Sequence, residues 1–260
     1  MIVHRGGCIV EEPPPFTLVY IYVPGGQNSD TFAQRFVSSY QQFPPGCEHD
    51  TIVACNGGQA PESLRQLFAA IPGTHFYPRS NDGWDIGAYL ELAKTISTPA
   101  MFCCGESVHF HRAGWMDRVA EAWNEHGPGM YGFFSSNLIR PHLQTTCFVA
   151  ATKLLASYPH AVHDRAQRYE FEHGGRQPLW RHARLLGMET LLVTWDGVYR
   201  PMQWRSAPNI LWRGDQSNCL LWCNHTDGYA IAPTHVRNSW GRWADRPLTQ
   251  SDLQMLARVA

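Results

Sequence analysis

Thr74-His75-Phe76-Tyr77-Pro78-Arg79-Ser80-Asn81-Asp82-Gly83-Trp84-Asp85-Ile86-Gly87-Ala88-Tyr89 turns from a short extended run into a helix within a few residues. Ile86, Tyr89, Leu90 and Ala93 recur at the spacing of one helix face. Polar groups and glycines gathered between a strand end and a helix start lie where an open α/β sheet binds ligands. The helix N-terminus offers free N–H groups to an anion, and the glycines let backbone approach it closely. The segment reads either as part of a nucleotide pocket or as an ordinary strand-to-helix turn.

The same alternation continues on both sides. Residues 16–23 form an unbroken β-branched and aromatic run, as in a buried parallel strand. Pro24-Gly25-Gly26 ends it, and Ser29 and Asp30 are placed to cap a helix bearing Phe32, Phe36, Val37 and Tyr40. A second strand over 50–55 closes in Asn56-Gly57-Gly58, and Pro61 suits the first turn of the next helix. Pro99 introduces a fourth strand over 100–104, which runs into Gly105-Glu106-Ser107-Val108-His109 and a helix around 114–125. This succession predicts an α/β protein with a Rossmann-like, mostly parallel sheet flanked by helices. Further strands are predicted over 130–135, 145–150 and 190–194, and helices over 151–158 and 178–186.

From Trp195 onward the chain carries six of its ten tryptophans and no Lys or Glu, with few periodic apolar segments. That is too aromatic for a disordered tail. The expected organisation is a ligand-binding domain over 1–195 and an irregular, Trp-rich C-terminal lobe over 196–260 folded on the sheet.

A length of 260 residues accommodates this plan, and 44% hydrophobic against 17% charged residues supplies a core. The formal charge of −1 gives no electrostatic reason for a polyanionic partner. No run approaches the roughly 18 apolar residues of a membrane span. The Glu11-Glu12-Pro13-Pro14-Pro15 break is unlike a signal peptide, so a cytoplasmic protein is expected. Eight cysteines at irregular spacing predict reduced, buried thiols. Cys219 and Cys223 have a spacing that would chelate zinc on a helix, but no second pair follows.

Four segments in this order resemble the GT-A nucleotide-sugar glycosyltransferases, particularly the group related to rhamnan synthesis protein F. Asn81-Asp82-Gly83-Trp84-Asp85-Ile86-Gly87 looks like that group's Asn-x-Gly-x-Asp-Ile-Gly element, and Gly105-Glu106-Ser107-Val108 like its Asn-Asp-Ser-Val element. His142-Leu143-Gln144-Thr145, leading to Phe148, resembles its His-x-Gln-Ser segment. Glu170-Phe171-Glu172-His173-Gly174 occupies the place of an acidic motif. The resemblance spans roughly residues 16–195. It implies a GT-A-like fold and an enzyme moving a hexosyl or deoxyhexosyl group from a nucleoside diphosphate sugar to an acceptor hydroxyl, with a surface polysaccharide as the expected acceptor. The sequence departs from the pattern where GT-A enzymes commonly hold a divalent metal with Asp-x-Asp, because Glu106 is the only carboxylate of Cys104-Gly105-Glu106-Ser107.

On this resemblance the donor site is expected at the carboxyl ends of the strands, from Pro24, Gly25, Asn56, Gly57, Arg79, Asn81, Asp85 and Gly105. Asp85 would bond ribose or base and Arg79 a phosphate; the alternatives are a helix cap and a surface charge. Mn²⁺ or Mg²⁺ would be held by Glu106, with His109, His111 or His235 completing the shell. Without metal, Arg and helix-terminal N–H groups would meet the diphosphate charge. Glu172 is the expected base, with Glu170 second, both ahead of Gly174-Gly175. A carboxylate raised in pKa by partial burial would take the acceptor proton, the alternative being a helix-dipole role. His142 and Gln144 would bind hydroxyls or bridge strands. Trp240 and Trp243, flanking Arg242, would form an acceptor platform or belong to the core.

Two other functions fit these residues. One is transfer to a hydroxylated base in DNA, which the Arg and Trp of the tail favour and the near-neutral charge disfavours. The other is a degenerate fold that binds nucleotide or glycan without turnover.

Overall fold

Strand β1 (Phe16–Tyr22) is buried along its whole length, so it must have neighbours on both edges and layers on both faces. It pairs in parallel with β2 (His49–Asn56) on one side and β4 (Ala100–Cys104) on the other, with Tyr20 level with Val53 and Cys104. Beyond β2 lies β3 (Thr74–Arg79), also parallel. The crossovers carry α1 (Ser29–Gln42), α2 (Glu62–Phe68) and α3 (Trp84–Leu92). This is the computed structural model of the chain, which describes residues 16–174 and 178–257. The N-terminal Glu11 to Pro15 break, Cys8 and Gly175 lie outside the described residues.

The second half follows α4 (Trp115–His126) with β5 (Gly129–Gly132), a short ribbon of β6 (Ser135–Ser136) and β7 (His142–Leu143), and β8 (Cys147–Ala151). No helix intervenes between β5 and β8. A parallel pairing needs a crossover, so β8 returns antiparallel to both β5 and β4. Helices α5 (Thr152–Ala156), α6 (Arg165–Glu172) and α7 (Leu179–Leu185) precede β9 (Glu189–Val193), parallel to β5, and β10 (Val198–Tyr199), antiparallel to β9. The sheet order is β3-β2-β1-β4-β8-β5-β9-β10, the mixed, mostly parallel α/β sheet expected from the sequence.

Aromatic side chains fill both faces. Tyr20 packs on Phe36 at 4.3 Å and Phe68 at 5.5 Å, and Phe110 stacks on Trp115 at 4.0 Å. On the other face Tyr89 meets Phe148 edge-on at 5.7 Å. The Trp115 indole is fully buried and donates to the Phe43 carbonyl at 2.9 Å, which satisfies its N–H.

Two local expectations change. Asn28, not Ser29, precedes α1, and no side chain caps it; Ser29 lies inside the first turn and its hydroxyl is spent elsewhere. Residues 165–172, where the sequence singles out only the 170–174 acidic motif, are α6. Its start is a capping box in which Asp164 accepts from the Gln167 N–H at 2.8 Å and Gln167 accepts from the Asp164 N–H at 3.3 Å.

After β10 the chain forms a 3₁₀ turn (Pro201–Ser206), an irregular stretch, and three short helices, α8 (Asn224–Ile231), α9 (Thr234–Ala244) and α10 (Gln250–Ala257). Trp204, Ile210, Leu211, Leu220 and Leu221 are buried in the same core as the strands. Cys219 and Cys223 are buried thiols, and among the described residues no three His, Cys, Asp or Glu converge to hold a metal ion. No described helix is long and apolar enough to cross a membrane.

Candidate active site

The loops leaving β1, β2, β3 and β4 open on one edge, because these four strands run parallel. At the β1 exit, exposed Gly25 turns at φ +74° beside half-buried Pro24. Ser29 then donates its hydroxyl to the Glu106 carboxylate, and Tyr20 donates to the Glu106 carbonyl at 2.8 Å. Glu106 is thus fixed from β1 and α1. Gly105 is required beside it: a Cβ there would lie 2.8 Å from the Thr146 carbonyl, which accepts the Gly105 N–H at 2.8 Å.

At the β3 exit, Arg79 is committed inward. Its guanidinium donates to Glu91 at 2.9 Å, Asn56 at 3.0 Å and the Asp82 carbonyl at 2.8 Å. The Asn56 amide donates to the Trp84 carbonyl at 2.9 Å, while Gly57, at φ +108°, donates to the Arg79 carbonyl at 2.8 Å. Arg79 therefore organises the turn that carries exposed Asn81. Trp84 is held at φ +50° with its side chain 38% exposed. Glycine is imposed at Gly83, whose φ is +68° and whose Cβ would meet the Val162 carbonyl at 2.0 Å.

Asp85 reaches across to α6. Its two carboxylate oxygens accept from Arg168 Nε and Nη2, each at 3.2 Å, and the side chain is 15% exposed. One oxygen also accepts the Ile86 N–H at 3.0 Å. One helical turn beyond Arg168, on the same face, Glu172 accepts from the Thr145 N–H at 3.1 Å and the Thr145 hydroxyl at 2.5 Å. Its other oxygen lies 3.8 Å from His142 Nε2. The His142 Nδ1–H donates to the Arg140 carbonyl at 2.7 Å, leaving Nε2 as a lone pair facing Glu172.

Burial alone would raise the Glu172 pKa, but the charge of His142 in its protonated form, the two Thr145 donors and Arg168 outweigh it and hold the carboxyl below its ordinary range. Burial likewise pulls His142 down, against the pull of Glu172. The pair at neutral pH is a carboxylate beside a neutral imidazole. A raised pKa was expected for Glu172 from burial; the donors gathered around it reverse the sign. Glu170 is exposed, and two positions along a helix turn it about 200° away from Glu172.

The C-terminal segment closes one side. Asn224 accepts from the Ser107 hydroxyl at 3.0 Å, and Arg35 joins Asp227 at 2.5 Å to the Ser107 carbonyl at 2.8 Å. His225, between Asn224 and Asp227, is solvent-exposed, yet burial pulls its pKa down and it feels both Glu172 and Arg168.

Gln144 is buried, and its N–H donates to the Phe134 carbonyl at 2.9 Å. His109 turns to Asp227 at 3.5 Å and His111 to the Cys219 carbonyl at 2.7 Å, so neither ring is directed to Glu106. His235 is exposed at the start of α9. Trp240 is half-buried on α9, 6.3 Å from Trp212 and 6.2 Å from Tyr229; Trp243 follows on the same helix. Arg168 and His225 were not singled out from sequence, Thr145 and Trp84 entered only within longer motifs, and Ser29 only as a helix cap. The 168/172 spacing beside the Asp164–Gln167 capping signal was the one legible clue.

The sequence matches no protein-family model and no curated protein. Among solved structures, TarS of S. aureus overlaps 54% of this chain and 29% of its own at 11% identity and TM-score 0.42. The mannosyltransferase PcManGT of Pyrobaculum calidifontis, in complex with GDP-Man and Mn²⁺, overlaps 56% and 46% at 9% identity and TM-score 0.42. The galactosyltransferase LgtC, with donor and acceptor sugar analogs, overlaps 53% and 58% at 11% identity and TM-score 0.40. Each overlap takes in about half of this chain and less than two thirds of the other.

Proposed function

We propose that the protein is a glycosyltransferase of the GT-A kind, taking a nucleoside diphosphate sugar as donor and a glycan hydroxyl as acceptor. One observation carries the reading: a single face of α6 presents Arg168 to Asp85 and Glu172 to His142, at the edge where the loops of β1 to β4 open. In this reading Arg168 supplies a cation, Asp85 a hydroxyl-binding carboxylate and Glu172 a base, all at one edge of the sheet. In this reading Trp84 offers an exposed face to the nucleobase, Asp85 accepts from ribose, and Arg168 faces the diphosphate. Glu106, held by Ser29, accepts from the sugar hydroxyls. The lobe over 196–260 forms the acceptor side.

The step is a direct displacement. The acceptor oxygen bonds to the anomeric carbon, the bond to the diphosphate breaks, and the diphosphate leaves with the electron pair. Glu172 receives the acceptor proton. Its depressed pKa keeps it ionised and ready to accept, at the cost of a smaller driving force for holding the proton. Thr145 orients it through its backbone N–H and its hydroxyl.

The donor set does not suit a protein-held divalent ion. Glu106 is the single carboxylate at the β4 exit, His109 and His111 are engaged elsewhere, and among the described residues no three His, Cys, Asp or Glu converge to hold a metal ion. That single carboxylate also favours the second reading, a binding protein without turnover.

Thermal denaturation with UDP-, GDP-, ADP- and dTDP-sugars tests the proposal, together with hydrolysis of the donor that stabilises. A donor should raise the midpoint by mass action and be turned over by the wild type but not by Glu172→Gln. Stabilisation without turnover supports the second reading, and no stabilisation by any donor contradicts both.

A further inference from the structure

Away from the α6 site, a concavity of about 550 Å³ at the amino ends of β1 and β2 and one of about 770 Å³ beside β9 carry no grouping of free charges that names a ligand. A third, of about 470 Å³, does. It lies between the 209–216 loop, the end of α8 and one face of α9, and Trp212, Tyr229, Arg237, Asn238, Gly241 and Arg242 line it.

The charges are uneven. Arg213 and Asp245, which also border it, are paired at 2.7 Å and cancel. The Arg237 and Arg242 guanidinium groups make no ion pair or hydrogen bond to any described residue, so two uncompensated charges share one concave surface with exposed Asn238. Beside them Trp212 is only half-buried, and Trp240 supports it from behind at 6.3 Å while stacking on Tyr229.

The loop that presents Trp212 is strained. Of the four described non-glycine residues with positive φ, three fall here: Asn209 at +50°, Trp212 at +62° and Gln216 at +59°. The strain is held by buried Gln216, whose Oε1 accepts the Trp212 N–H at 3.2 Å and whose amide donates to the Thr226 carbonyl at 2.9 Å. Strained backbone that the surroundings over-determine is characteristic of ligand clamps.

We infer that this cleft binds an anionic sugar residue, its carboxylate or phosphate on Arg237 and Arg242 and its ring on Trp212. Guanidinium forks suit planar or tetrahedral oxyanions, and aromatic faces suit the C–H faces of sugar rings. A cleft of this size holds one or two rings. Nucleic acid would need a longer basic track than two free arginines. Trp212 also meets His225 edge-on at 6.3 Å, which joins the cleft to the α6 site. Resting on the glycosyltransferase reading, the inference makes the acceptor an acidic glycan, held one or a few sugars away from the reacting hydroxyl.

The test measures equilibrium binding of trigalacturonate, its fully methyl-esterified form, glucose 6-phosphate and a dT₁₀ oligonucleotide. The proteins are wild type, Arg237→Gln/Arg242→Gln and Gly241→Leu. The last fills the cleft without removing a charge, since a Cβ at Gly241 meets only the Trp212 carbonyl at an ordinary 3.5 Å. The inference expects trigalacturonate, glucose 6-phosphate or both to bind the wild type and to weaken about tenfold or more in both variants. The one that binds identifies the anion. Equal binding of the neutral ester, tighter binding of dT₁₀, no binding of either anion, or equal binding by the variants overturns it. Donor-induced thermal stabilisation is read on the same proteins and should be unchanged. Its loss in the wild type with anion binding intact would sink the glycosyltransferase reading and leave the cleft standing.

Discussion

Arg168 of α6 and Asp85 of α3, 83 positions apart in sequence, meet through two hydrogen bonds of 3.2 Å at the carboxyl edge of the sheet. The pair pins the helix that carries Glu172 to the loop that leaves β3. Replacing Arg168 by Ala leaves a mostly buried carboxylate with only the Ile86 N–H as donor. We expect a loss of about 2 kcal/mol in unfolding free energy, read by urea titration. In Asp85→Asn/Arg168→Ala the cost should be less than the sum of the single variants. Additive losses would mean that the two side chains do not act as a pair.

The β3 exit depends on glycine for two separable reasons. Gly83 and Gly114 both have positive φ, at +68° and +79°, but only Gly83 would drive a Cβ into backbone, the Val162 carbonyl. Gly114→Ala should therefore cost about 1 kcal/mol from conformation alone. Gly83→Ala should cost about 3 kcal/mol or more, because the 162 segment must also move. Equal midpoints in denaturant would remove the argument that this contact shapes the loop.

Acid should weaken the fold early. Burial holds His49, His111, His142 and His182 below the ordinary histidine pKa. Below pH about 6.5 the unfolded chain binds protons at these positions and the folded chain does not. Stability is therefore flat above that pH and falls as pH drops through it, by about 1.4 kcal/mol per pH unit for each such histidine. Glu172, depressed in the folded state, acts in the same direction at lower pH, since its contribution is lost as pH falls below the ordinary carboxylate range. Denaturant midpoints at pH 7.5 and 5.5 should differ, and by less in His142→Gln. Identical midpoints would contradict the buried neutral imidazoles.

The two acidic residues of 170–172 should separate sharply in activity. Glu172→Gln should lower turnover by about 10²- to 10⁴-fold with donor binding retained, whereas Glu170→Gln, exposed on the other side of α6, should leave it within about threefold. Steady-state rates of donor consumption with an acceptor decide this. Comparable loss in both variants would remove Glu172 from the role of base.

Much of the fold was legible because β1 and β4 are buried on both faces and read as unbroken apolar runs. The reversal of β8 was not, since Cys147 to Ala151 is equally buried and a strand between two neighbours has the same composition in either direction. Helix α6 was missed because Phe171 is its one buried residue, which leaves no apolar stripe to detect. The Asp85, Glu106 and Glu172 positions stood out through local motifs. Arg168 and His225 did not, because their significance comes from contacts formed only when distant segments fold together. Arg79 shows the opposite failure: its place at a strand end suggested a phosphate, but Glu91 and Asn56 take its donors.

The most direct measurement is calorimetric titration of the stabilising nucleotide sugar into wild type, Asp85→Asn and Glu106→Gln. A single site whose affinity falls about tenfold or more in each variant is the predicted result, because both carboxylates would contact one donor. Wild-type affinity in both variants would contradict the account, and would place the donor away from the edge shared by β3 and β4.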